Sequence, residues 1–166
     1  MTVLADRIDR INRAVGRAVA WLVLLMLLLQ VALVAGRYAF GFGSIWLTES
    51  VVYAHAAVIL LASAWTFMTG GHVRVDVLYA QATPFNRAMI DLAGSVLLMM
   101  PFALVLIWLS VPYAARSWAI LERSQEASGL PLVFVLKSLI PAFAVMMALQ
   151  GVAQVIRSAK VLAGPR

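Results

Sequence analysis

The chain has 166 residues, of which 64% are hydrophobic and 12% are charged, with no cysteine and a net charge of +6. An ordinary soluble domain carries roughly 25% charged residues, so this composition indicates a membrane protein and excludes disulfides, thiolate nucleophiles and cysteine-containing zinc sites. The basic residues lie at the ends of apolar segments, which argues against nucleic-acid binding and for a role in membrane orientation.

A basic and amphipathic segment comes first. Leu4, Ile8, Ile11 and Val15 recur at helical spacing among charged residues. Such an N-terminal amphipathic flank can lie in the headgroup region before the chain turns into the bilayer. An ordinary basic flank is the alternative. The apolar window that follows is longer than the core of a cleaved signal, so we expect a retained membrane anchor.

Four windows without a charged residue divide the chain, at 18–36, 50–71, 92–115 and 138–156. A helix needs roughly 20 residues to cross a hydrocarbon core of about 30 Å. Barrel strands are a poor alternative because they alternate in polarity, whereas these windows are continuously apolar. The sequence therefore predicts a single all-α membrane domain. Its four transmembrane helices are expected at about 18–36, 50–71, 84–115 and 131–157.

The basic residues are divided unequally between the two sides of these spans. Nine of the 13 lysines and arginines lie on the side that holds both termini, and four lie on the other side. The positive-inside rule then places both termini in the cytoplasm. The connection between the second and third spans is cytoplasmic in this orientation, and the connection after the third span is periplasmic.

Prolines mark the expected starts and bends of the later helices. Thr83 followed by Pro84 predicts an N-cap and the first residue of the third helix. Pro131 predicts the start of the fourth helix. Pro101 and Pro141 fall inside helices, where they predict local kinks.

A polar segment lies between the second and third spans, where His72, Arg74 and Asp76 alternate with valines. The two-residue period is typical of a strand, yet a lone strand at a membrane surface has no sheet partner. We expect an extended segment or a short interfacial turn whose charged groups meet headgroups or another chain. A solvated loop is an equal alternative.

The second span and its outer flank hold the ionisable groups of most interest. Glu49 comes directly before the second window, at the outer start of the helix, where the helix macrodipole favours a carboxylate, and a functional role would pair it with Arg37 or with a partner's cation. His55 is the one ionisable residue well inside a window. A single histidine cannot supply a haem or metal site, so a hydrogen-bonded structural histidine is the better interpretation.

Polar residues elsewhere in the spans indicate hydrogen bonds between packed helices and not a catalytic site. Gln30, Gln150 and Gln154 can form hydrogen bonds between helices. No nucleotide-binding motif, nucleophile motif or paired intramembrane carboxylate occurs, so the sequence predicts no catalytic residue, no cofactor and no metal. The acidic residue expected in the membrane centre of a small proton-coupled exporter is also missing.

Three segments carry a resemblance to a known family: GRYAFGFGSIWLTE, ASAWTFMTGGHVRVDVL and ASGLPLVFVLKSLIPAFAVMMALQGVAQVIR. In their order, their spacing and the four-span frame, the chain resembles the small membrane subunit of tripartite ATP-independent periplasmic (TRAP) transporters, the DctQ-like family. The resemblance covers essentially the whole length.

That resemblance implies a three-component system in the bacterial inner membrane. A periplasmic solute-binding protein would capture an organic acid or a related small solute, and a large DctM-like membrane subunit would move it inward by sodium-coupled symport. The small subunit would act as a non-catalytic scaffold. An autonomous small multidrug-type exporter and a membrane anchor of a redox enzyme are the alternatives from other classes.

The resemblance also implies which residues serve structural or interface roles without touching the solute. We expect them to contact the large subunit, membrane lipid headgroups or the rest of the fold. They are Arg37, Glu49, His72, Arg74, Asp76, Gly129, Leu130, Pro131, Lys137 and Gln150.

Overall fold

The computed structural model describes residues 2–72, 79 and 81–164. That part of the chain is helical and contains no strand. Four of its helical units are long and apolar enough to cross a membrane, which confirms the predicted all-α architecture with four candidate spans. The α-helices are α1 (Thr2–Phe40), α2 (Ile45–Met68), α3 (Pro84–Gly94), α4 (Met100–Ala119) and α5 (Val133–Ala163), and a π-helical turn (Ser95–Met99) joins α3 to α4 within one span-length unit.

The span-length units run in alternating directions, so the bundle has two ends. The terminal end holds the start of α1 and the end of α5, together with the end of α2 and the start of α3. The loop end holds the turn 41–44 and the loop 120–132. These two names are used for the ends of the bundle below.

The helix at the centre of the bundle is α5, which packs against each of the other helices, whereas α1 and α2 also pair with each other. Small residues on α5 make this close approach possible: Ala144, Gly151 and Ala153 are all buried. Small residues are common at helix interfaces in membranes because they let backbones come together.

The N-terminal flank is helical and is continuous with the first span. At about 1.5 Å per residue, α1 is about 58 Å long, well beyond the thickness of a hydrocarbon core. Ala5 and Ile8 pack against Ala153 of α5 in a small core, while Leu4 and Ile11 each remain 54% exposed. The expected break between flank and span is therefore not present, because packing on α5 extends the same helix.

The start of α3 agrees with its predicted cap, whereas the start of α5 does not. Thr83 accepts a hydrogen bond from Asn86 N at 3.3 Å, and Pro84 is the first helical residue. The fourth helix, expected to start at about Pro131, begins two residues later, at Val133. Both backbone polar groups of Leu130 are bonded outside the helix, so the chain reaches Pro131 in a non-helical path.

A π-helical turn (Ser95–Met99) lies directly before Pro101, where a kink was predicted. Met100 N donates to Ser95 O, five residues earlier. Proline has no N–H and its ring crowds the preceding turn, so a local change of hydrogen-bond register accommodates it.

The outward surface of the bundle is strongly apolar. Trp21 is 73% exposed, Leu98 is 73% exposed and Trp108 is 75% exposed, and each belongs to a span-length unit. Exposed apolar side chains in such number suit a lipid or protein environment and not water. The fold is therefore that of a multi-pass membrane protein.

Candidate functional site

Two groups of polar contacts hold the helices together, one at each end of the bundle. The first is the loop-end clasp, made of Glu49, Ser124 and Leu130. Glu49 Oε2 accepts a hydrogen bond from Leu130 N at 2.5 Å, and Glu49 Oε1 accepts one from the Ser124 hydroxyl. Ser124 N donates to Leu130 O at 3.1 Å, which closes the loop on itself. Because bonds to a carboxylate are stronger than neutral ones, Glu49 ties this loop firmly to α2.

Gly129 lies against the loop-end clasp, where there is no room for a side chain. A Cβ at this position would collide with the Ser124 side chain and would lie 2.8 Å from Glu49 Oε1. Both carboxylate oxygens of Glu49 bond to residues of this loop, in place of the suggested pairing with Arg37. Leu130 is buried, and Pro131 lies exposed at the bend that follows.

A second pair fixes the start of α5 at the same end. Lys137 Nζ lies 2.6 Å from Glu122 Oε2 and 4.4 Å from the centre of the Tyr113 ring. The Lys137 ammonium holds the pKa of the Glu122 carboxyl below its ordinary value. The contribution of this pair to stability is therefore present at neutral pH and is lost as the pH falls through the lowered pKa.

The second group is the terminal network, made of Asp9, Asn12, Gln150 and Arg157. Asn12 Nδ2 donates to Gln150 Oε1 at 2.6 Å, and both side chains are fully buried. Gln150 Nε2 donates to Asp9 Oδ1 at 3.2 Å, and Arg157 Nη1 donates to Asp9 Oδ2 at 2.6 Å. The network joins the N-terminal extension of α1 to α5 through a buried amide pair and an ion pair.

The same face of α5 also holds α3. Gln154 Nε2 donates to Asp91 Oδ2 at 3.0 Å, and the Tyr79 hydroxyl donates to the same oxygen at 3.0 Å. Gln150, Gln154 and Arg157 follow the i, i+4, i+7 spacing of one helix face. The two glutamines predicted to bond between helices on α5 therefore do so.

The sequence did not indicate the partners of Gln150, Gln154 and Arg157. Asp9 of the charged N-terminal flank accepts from Gln150 and Arg157, Asp91 accepts from Gln154, and Asn12 donates to Gln150. Their spacing carried a signal, since Asp9 and Asn12 are three residues apart and share a helix face with Ile8 and Ala5.

The other predicted contact residues are placed as follows. Arg37 and His72 are exposed, and the His72 ring lies 5.9 Å from the Phe67 ring at the end of α2. Arg74 and Asp76 lie outside the described residues, so the hypothesis about the polar segment stays a prediction.

His55 does not behave as the hydrogen-bonded structural histidine that its sequence position suggested. It is exposed on α2, and no described residue donates to it or accepts from it. Gln30 on α1 is likewise exposed and makes no hydrogen bond within the described part of the chain. Sequence shows that a helix is apolar, but a nearly uniform apolar pattern does not show which face turns outward.

The loop-end clasp predicts that Glu49→Gln opens the loop. One carboxylate oxygen is lost, which weakens the clasp by about 1–3 kcal/mol. We expect roughly tenfold faster trypsin cleavage after Arg123, which is exposed in this loop, measured on purified protein in detergent. Glu126→Gln is the matched control, because Glu126 contacts the loop through its backbone groups. Equal cleavage of the two variants would contradict the clasp.

The terminal network predicts that Gln150→Leu is the more damaging of two glutamine substitutions on α5. It leaves the buried Asn12 amide without its partner, which costs about 1–3 kcal/mol. Gln154→Leu removes a half-buried bond to Asp91, which keeps its bond from Tyr79, and costs about 0.6 kcal/mol. The midpoint temperature of thermal unfolding in detergent measures the loss of stability in each variant. If Gln150→Leu and Gln154→Leu lower this temperature equally, the predicted ranking is wrong.

Comparison with known proteins gives the family. A family model described as the DctQ component of tripartite ATP-independent periplasmic transporters matches residues 26–161. No curated protein and no solved structure gave a significant match. The matched range includes the loop-end clasp and the α5 side of the terminal network, while Asp9 and Asn12 lie before it. The chain belongs to the DctQ family and is a small membrane subunit of a TRAP transporter.

Proposed function

We propose that the chain is the non-catalytic scaffold of a TRAP permease in the bacterial inner membrane. It braces a large, sodium-coupled DctM-like subunit, which takes up an organic acid or a related small solute from a periplasmic binding protein. In this proposal both termini are cytoplasmic, so the terminal end of the bundle faces the cytoplasm and the loop end faces the periplasm.

The observation that carries the proposal is that polar contacts attach every helix to α5 or to the loop that leads into it. Asp9 and Asn12 attach α1, Asp91 attaches α3 and Glu49 attaches α2. Trp118 Nε1 of α4 donates to Ser138 Oγ of α5 at 2.7 Å. Sliding any helix along α5 would break one or more of these bonds, which lie at the two ends of the bundle. Such a bundle suits a stationary brace better than a moving transport element.

Charge at the terminal end supports the cytoplasmic orientation and a contact with lipid. Arg10, Arg13 and Arg17 line a shallow cleft of about 290 Å³ together with Asp6 and Asp9. Arginines beside a membrane surface are attracted to the anionic lipids of the cytoplasmic leaflet. The four basic residues on the opposite side are too few to reverse this preference.

The loop end supplies a surface for the periplasmic partner. Ile120 is 72% exposed and Leu121 is 57% exposed, at the start of the loop that Glu49 closes. A rigid loop with apolar side chains at its start is a reasonable docking element, because ordering it on binding costs little entropy. In the proposal the solute-binding protein contacts this end of the bundle.

The proposal predicts the requirements for uptake in proteoliposomes. With an inward sodium gradient, accumulation of the solute should need this chain, the large subunit and the binding protein together. Omitting this chain should reduce uptake to background, and replacing sodium by choline should do the same. Solute flux through vesicles that hold this chain alone would contradict the scaffold role.

A further inference from the structure

Two polar side chains face outward at the middle of the bundle. His55 and Gln30 are exposed and form no hydrogen bond among the described residues. The hydroxyls of Ser50, Ser63 and Thr66 on α2 donate to the carbonyl oxygen four residues earlier in their own helix. In the structure, the imidazole of His55 and the carboxamide of Gln30 make no such local bond. Hydrocarbon offers them no partner either.

Both side chains lie well inside span-length helices, away from the helix ends. His55 comes ten residues after the start of α2, and Gln30 comes ten residues before the end of α1. Each is therefore about 15 Å from the loop end at 1.5 Å per residue, in helices that are at least about 36 Å long. Unlike a lysine or an arginine near a helix end, neither side chain is long enough to reach the headgroups.

Helix periodicity places the two residues on one surface. Val52, His55 and Ile59 continue the exposed stripe of α2 that starts at Thr48. Thr48 lines a cleft of about 320 Å³ with residues of α1 that include Gln30 and Arg37. We call this surface the α1–α2 face; it consists of Gln30, Arg37, Thr48, Val52, His55 and Ile59.

The outward side of α4 differs at the same depth. Leu109 lies ten residues before the end of α4 and is 58% exposed. Its exposed neighbours on that helix, Phe102, Val105 and Trp108, are also apolar. Hydrocarbon chains satisfy such a surface fully, whereas the α1–α2 face requires hydrogen-bonding groups at mid-membrane depth.

We propose that the α1–α2 face is the surface on which the large membrane subunit packs. His55 and Gln30 bond to polar side chains of one of its transmembrane helices, while the outward side of α4 faces lipid. A neutral imidazole offers one donor and one acceptor, and a carboxamide offers both as well, so hydroxyl or amide side chains complement the pair. This inference rests on the proposed function and adds the surface through which the brace acts.

Site-specific photo-crosslinking tests the surface directly. A benzophenone amino acid is placed at position 30, 55 or 109, one at a time, in this chain co-expressed with the large subunit of its own transporter. Position 109 is the control, because Leu109 has the same depth on the other side of the bundle. We expect the large subunit to be captured from positions 30 and 55, and capture from 109 to be at least tenfold lower.

Substitution tests the hydrogen bonds separately from proximity. Loss of one interhelical bond weakens association in a membrane by roughly threefold. Gln30→Leu with His55→Leu should therefore lower the amount of co-purified large subunit by roughly tenfold, while Leu109→Ala leaves it unchanged. The double variant should unfold at the same temperature as the native chain, since neither side chain bonds within it.

The outcomes separate the inference from the function on which it rests. If the large subunit co-purifies but is captured from position 109 and not from 30 or 55, the inference is overturned and the scaffold role survives. A crosslinked dimer of this chain, or full co-purification of the double variant, also overturns it. If the native chain and the large subunit do not co-purify at all, both fail together.

Discussion

The hydrogen bond between the buried side chains of Asn12 and Gln150 is the contact on which the bundle depends. Both are fully enclosed, so water cannot replace a lost partner, and an amide left alone there costs about 1–3 kcal/mol. The ion pair of Asp9 with Arg157 continues this contact toward the terminal end. Together they fix the position of α1 along α5 and make the N-terminal extension part of the fold. The apolar contacts between the spans, which are less directional, would not set that register alone.

The helices are held together by hydrogen bonds at the two ends of the bundle and by close packing of small residues in its middle. Glu49 performs at the loop end what Asp9 performs at the terminal end: each carboxylate accepts two bonds from a different part of the chain. Between them, Ala144 and Gly151 let the other helices approach α5 closely. A bundle tied at both ends and packed closely in its centre suits a stationary component beside a larger moving one.

Hydropathy was sufficient to predict the four span-length units, and the Thr83–Pro84 pair was sufficient to predict the cap of α3, because both depend on local sequence. The partners of Glu49 could not be predicted from the sequence, because Ser124 and Leu130 lie 75 and 81 residues away and a loop has no periodic pattern. That His55 faces outward could not be predicted for another reason. An almost uniformly apolar helix has no polar face that shows its rotation. The family, and with it the function, was predicted from the order and spacing of the three quoted segments and not from any reactive side chain.

Locking the bundle tests its stationary role most directly. The chain has no cysteine, and Ala5 and Ala153 lie in one core cluster between α1 and α5, so any disulfide within the double variant Ala5→Cys, Ala153→Cys joins these two helices. Solute uptake by the assembled transporter is then compared before and after oxidation, with each single variant as a control. A stationary brace predicts unchanged uptake in the oxidised protein. Loss of uptake on oxidation that a reductant restores would contradict the account, because it would show that α1 moves against α5 during transport.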